Sequence, residues 1–271
     1  MNAIPPTPED NQPTPEPQAS QTRDPVIASR LGRGRLGGST ICDLLIQRGR
    51  RANRPVLVAD GDRLNPTLSA LYPPGTSGAA SQPKSDDLSH VKEWINERVD
   101  QVAMTRTSMV LDIGGGNQAL ADNGHDLPMA TFCEEAGIRL LPMYFCGPEK
   151  DDFDHIVAIH KARYFRSPQS ILFLNESLMR VGQTAAEAFA ALFRRPELKE
   201  MAAGGTKIIY IPRLPCLAAM REEGLSFYDA AANKPGKGGM PMSPTRQFMV
   251  KTWLKRLEQD FNETGVAEWL P

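Results

Sequence analysis

The chain has 271 residues and a formal net charge of −1. That is long enough to bury a full α/β core, and too balanced for a polyelectrolyte, so contact with nucleic acid would need a local patch. No apolar run approaches the roughly 18 residues of a spanning helix, and the opening residues lack the apolar segment of a secretory signal. Cys42, Cys133, Cys146 and Cys216 have no C-x-x-C spacing and fit reduced, buried thiols of a cytoplasmic protein better than a zinc site or disulfide frame.

Residues 1–24 are rich in Pro, Gln, Thr and Glu with almost nothing to bury, which predicts a disordered tail. Residues 25–271 read as one α/β domain. Val26–Ser29, Val56–Asp60, Met109–Asp112, Leu140–Phe145, Ile171–Asn175 and Ile208–Ile211 are continuous apolar runs of strand length, as in strands covered on both faces. Helical spacing links Ile41, Leu44 and Leu45, then Val91, Trp94, Ile95, Val99 and Val102, and finally Phe248, Met249, Trp253, Leu257 and Phe261. Such alternation predicts a mostly parallel sheet with helices on both faces. The stretches 72–89 and 233–243, rich in Pro and Gly, are expected to be surface loops.

Between the first strand and first helix lies Leu31-Gly32-Arg33-Gly34-Arg35-Leu36-Gly37-Gly38-Ser39-Thr40. One reading is a phosphate loop, Gly-x4-Gly, with Gly38 where the phosphate-gripping Lys belongs and Ser39 where a magnesium-binding hydroxyl belongs. The other is the dinucleotide fingerprint Gly32-x-Gly34-x-x-Gly37, with Asp60 as the acid ending the next strand. Both place an anion on backbone N–H groups at a helix start. No catalytic Tyr-Lys, His or Cys arrangement accompanies the second, and His90, His125, His155 and His160 are dispersed among polar residues.

The loop resembles the deviant Walker A motif of ParA/MinD-type ATPases, K-G-G-x-G-K-[ST]. On that pattern Arg33 falls at the signature lysine, Gly34 and Gly37 match, Arg35 replaces a glycine, Gly38 replaces the second lysine, and Ser39-Thr40 match. Asp60-Gly61-Asp62 with Asn65 resembles the family's D-x-D and nearby Asn. Val110-Leu111-Asp112 with Gly114, Gly115 and Gly116 resembles its Walker B strand and switch. Asn175 resembles the Asn that meets the base, and Ile211-Pro212 the I-P step beside it. Residues 112–231 are most similar to the TraL-like conjugal-transfer branch, and the resemblance spans about residues 25–260.

The resemblance implies ATP or ADP held by Gly32, Gly34, Arg35, Gly37, Gly38, Ser39, Thr40, Asn175 and Pro212. It implies Mg²⁺ on Ser39 with Asp112 behind it, Asp60 orienting the attacking water, and Arg33 reaching phosphate across a nucleotide-dependent homodimer. Loss of the lysine at Gly38 implies weak or absent hydrolysis, and restoring it is expected to raise ATP affinity. The implied role is a nucleotide switch in plasmid partition or conjugal transfer, read by a partner protein of that machinery. A non-hydrolysing adaptor is the alternative, and an NAD(P)-dependent oxidoreductase the more remote one. Arg48, Arg50, Arg51 and Arg54 follow the first helix and suit either a solvated helix end or a non-specific DNA contact.

Overall fold

The computed structural model describes residues 23–114, 118–163 and 165–271. The tail expected over residues 1–24 falls, up to residue 22, outside the described residues, as do Gly115, Gly116 and the His125 side chain. The chain is an α/β protein built on a six-stranded, all-parallel sheet flanked by helices. The strands are β1 (Val26–Leu31), β2 (Val56–Asp60), β3 (Ser108–Asp112), β4 (Arg139–Cys146), β5 (Ser170–Asn175) and β6 (Thr206–Ile211). After β1 comes α1 (Gly38–Arg51). Between β2 and β3 lie α2 (Thr67–Leu71) and α3 (Leu88–Thr105), and between β3 and β4 lie α4 (Gln118–Asp126) and α5 (Met129–Glu135). Then come α6 (Lys150–Ala162), α7 (Ala185–Ala188), α8 (Ala190–Phe193) and α9 (Pro196–Ala203), and, after β6, α10 (Leu217–Glu222), α11 (Phe227–Ala231) and α12 (Pro244–Glu263).

All six expected strands form, each at or within two residues of the apolar run that specifies it. Successive side chains of a strand point to opposite faces, and the two cores follow that alternation. Val26 and Ala28 join Ile41, Leu44 and Leu45 of α1 and Val250, Trp253 and Leu257 of α12 on one face. Ile27 and Leu31 join Trp94 and Ile95 of α3 and Phe153 and Ile156 of α6 on the other. The stripe expected on α12 shifts by a turn: Val250, Trp253, Leu254, Leu257 and Phe261 are buried, whereas Phe248 and Met249 face solvent. Trp253 instead stacks on Phe227 of α11 with ring centroids 4.8 Å apart, which fixes which side of α12 is covered.

Strand order is β2-β3-β1-β4-β5-β6. The chain leaves β1 towards the β2 edge and leaves β4 towards the β6 edge, so a crevice opens at their carboxyl ends, where ligands of such sheets bind. The loop after β2 is not loose throughout: Ala79 bridges Val58 in parallel, so residues 78–80 cover an otherwise bare sheet edge. No helix among the described residues is long and apolar enough to cross a membrane.

Candidate functional site

At the carboxyl end of β1 the Gly-rich loop turns into α1 around a cavity of about 1000 Å³. Gly37 makes the turn at φ 88°, and a Cβ there would lie 2.7 Å from Asn175 Nδ2, so this position requires glycine twice over. The first residues of a helix carry N–H groups with no partner inside it. In α1 no side-chain cap and no acidic residue occupies that turn, so Ser39 and Thr40 present an uncovered, partly positive helix start to the cavity they line. Arg35 holds φ 64°, a left-handed conformation that a side chain tolerates poorly, at the position where the resembling motif has glycine.

Beneath this turn sits a buried polar group that the sequence reading missed. Arg30, the fifth residue of β1, is 3% exposed and lines the cavity. Its Nη1 donates to Asp112 Oδ1 at 3.3 Å and its Nη2 to the Arg33 carbonyl at 2.7 Å. Register sets the pair: Arg30 and Asp112 are directly opposed on the neighbouring strands β1 and β3. Asp112 also accepts from Ser39 Oγ at 2.7 Å and from the Gly114 N–H at 3.0 Å. Arg30 Nε has no hydrogen-bond partner among the described residues, and a buried donor left unmade costs about 1–3 kcal/mol.

Arg30 changes the meaning of Gly38. Gly38 has ordinary helical backbone as the first residue of α1. A Cβ built there would lie 2.2 Å from Arg30 Nε and 2.9 Å from its Cγ and Cδ. The space from which a lysine at position 38 would extend is filled by the Arg30 side chain, clamped at its far end. A lysine restored at position 38, expected to raise ATP affinity, would have to displace the Arg30 side chain first.

The other anticipated residues divide between cavity and support. Arg33, Gly34, Arg35, Gly37, Gly38, Ser39 and Thr40 line the cavity, whereas Gly32, Asp60, Asp112, Asn175 and Pro212 do not. Asn175 Nδ2 donates to the Leu36 carbonyl at 3.0 Å, and the Pro212 carbonyl accepts from Trp253 Nε1 at 2.8 Å. Asn175 thus braces the loop at Leu36, and Pro212 is tied to α12. Asp60 is 2% exposed, and its two carboxylate oxygens accept the Asp62 and Ser69 N–H groups. It pins the chain between β2 and α2, while Asp62, two residues on, lines the cavity with Asp86, Glu149 and Asp152.

Burial, followed by repulsion from Asp112, pushes Asp60 up to about 6. A carboxyl whose folded pKa lies above its unfolded value of 3.8 stabilises the fold below that value, and the contribution is lost as pH rises through about 6. Urea unfolding between pH 4 and 7 should show this loss, of order 3 kcal/mol, and Asp60→Asn should flatten the slope. An unchanged slope in the variant would remove Asp60 as its source.

Arg33 is half-exposed at the rim and pairs with Asp152 at 3.3 Å. Arg221, from α10, donates to Thr40 Oγ1 at 3.3 Å, and its Nε also has no partner among the described residues. Arg48, Arg50 and Arg51, expected after the first helix, instead form its last turn and are engaged within the chain: Arg48 pairs with Glu258, Arg50 lies over the Tyr72 ring and Arg51 over Tyr228. The four cysteines are buried, and among the described residues no histidine lines the cavity.

Asp112 accepts from Ser39 Oγ on one oxygen and from Arg30 and the Gly114 N–H on the other, so a guanidinium shares the carboxylate expected behind Mg²⁺, while the Ser39 hydroxyl keeps its lone pairs. Among the described residues no group of three or more His, Cys, Asp or Glu could hold a metal. Alternation along β1 puts Arg30 on the α1 face with Ala28, but its pairing with Asp112 rests on strand register. Arg221 was not legible in the sequence, because only the tertiary fold brings α10 to α1. No protein-family model matches the chain, and no curated protein matches it.

Proposed function

We propose that this chain is a nucleotide-binding switch protein, similar to ParA/MinD-type proteins, that holds ATP or ADP with weak or absent hydrolysis. The observation carrying this reading is the uncapped first turn of α1 above the buried Arg30–Asp112–Ser39 cluster. N–H groups, a hydroxyl and a fixed cation converge there on one cavity. Strand order supports it against the dinucleotide alternative: the classic dinucleotide sheet sets the second strand beside the first, whereas here β3 lies between them. Asp60 is thus about 9–10 Å sideways from β1, and each of its oxygens already accepts a backbone N–H.

Two features support weak hydrolysis: Asp60 is buried with each oxygen already accepting a backbone N–H, and the loop lacks a lysine on the helix side. The alternative of a non-hydrolysing adaptor differs only in degree, and the buried Asp60 favours it. Partition or conjugal transfer is the process implied by the resemblance, with dimerisation governed by nucleotide and Arg33 at the interface. The test is calorimetric titration with ATP, ADP and NAD. ATP and ADP should bind and NAD should not, and sedimentation with ATP should report the dimer. Tight NAD binding, or no nucleotide binding, would overturn the reading.

A further inference from the structure

We infer that Arg30 is the resident cation of this site, taking the place of both the absent loop lysine and the divalent metal, so that polyphosphate ligands bind here without Mg²⁺. The inference rests on the nucleotide reading above and deepens it.

Three independent features carry it. Arg30 occupies the volume a residue-38 side chain would need, reaching the first turn of α1 from below rather than along the helix. Its guanidinium sits on the carboxylate that would otherwise back a metal, holding a positive charge beside Ser39. Its Nε–H is buried, lacks an acceptor among the described residues, and belongs to a side chain lining the cavity. A phosphate oxygen entering between the α1 N–H groups and Arg30 would supply that acceptor as a charge-assisted bond. Guanidinium suits the role because it stays protonated and can serve carboxylate and phosphate together through separate N–H groups. Arg221, whose Nη2 donates to Thr40 Oγ1 and whose Nε is also unpartnered among the described residues, adds positive charge to the cavity wall. Substitution of glycine for lysine at position 38 is then one half of an exchange whose other half is Arg30.

The experiment is titration of the full chain with ADP and with inorganic pyrophosphate, in excess MgCl2 and in EDTA. Both ligands should bind in EDTA with affinity within about twofold of that in Mg²⁺. Arg30→Ala should weaken binding in EDTA by about ten- to a hundredfold. Because that variant strands Asp112, the double variant Arg30→Met with Asp112→Asn removes both charges together and keeps the volume, and it should show the same loss. Binding that appears only with Mg²⁺, or a folded double variant binding as the parent does, overturns the inference while leaving the nucleotide reading in place. Pyrophosphate binding through Arg30 in EDTA, with no binding of ADP in either buffer, supports the role of Arg30 and overturns the nucleotide reading. Failure of both ligands in both buffers overturns both.

Discussion

Gly38→Lys should destabilise the protein and leave ATP affinity no higher than the parent's. The new Cβ would meet Arg30 Nε at 2.2 Å in the middle of a side chain held by Asp112 and the Arg33 carbonyl. Relief requires either shifting the start of α1 or expelling Arg30 from its pair. Overpacking alone costs about 1–3 kcal/mol, and expelling the guanidinium adds the cost of an unpaired buried carboxylate, so a loss of about 3 kcal/mol is expected. Chemical denaturation measures it directly. Arg30→Ala combined with Gly38→Lys empties the contested space and returns a cation to the neighbourhood of Asp112. It should recover stability to within about 1 kcal/mol of the parent. A stable single variant with raised ATP affinity would show that Arg30 does not hold this position.

Asp112→Ala should be the most damaging single change in the site. Arg30 is 3% and Asp112 1% exposed, and removing one partner of a buried pair costs about 3–5 kcal/mol, chiefly by stranding the other charge. Asp112 also anchors Ser39 and the Gly114 N–H, so the loss should be accompanied by loosening of the Gly-rich loop and of the turn after β3. Hydrogen exchange at Gly114, whose N–H is bonded to Asp112, reports that loosening separately from global stability. A loss below about 1 kcal/mol would make the pair a surface-like contact and would contradict its burial.

The sheet was legible because each strand is a continuous apolar run covered on both faces, so even short segments such as Val56–Asp60 declare themselves. The loop was legible for a different reason: glycines at 32 and 37 are demanded by backbone geometry, and such demands are local. What sequence spacing does not carry is registry between strands. Arg30 reads as one arginine among the eight between residues 23 and 54 until β1 and β3 are paired with Arg30 opposite Asp112. The same limit explains Asp60. Its position at a strand end suggested a role in chemistry, and that each of its oxygens accepts a backbone N–H, from Asp62 and Ser69, is determined only by the path of the following turn. On α12, periodicity alone allowed Phe248 and Met249 into the buried stripe, and the stacking of Trp253 on Phe227 excludes them.

The central claim is that a nucleotide's phosphates sit on the first turn of α1 above Arg30. Backbone amide chemical shifts, recorded by NMR as ADP is added in EDTA, test it residue by residue. The amides of Gly37, Gly38, Ser39 and Thr40 and the Arg30 Nε–H should move most, while those beside Phe248 on α12 stay still. Shifts centred elsewhere, or none at these five groups at saturating ADP, would contradict the account.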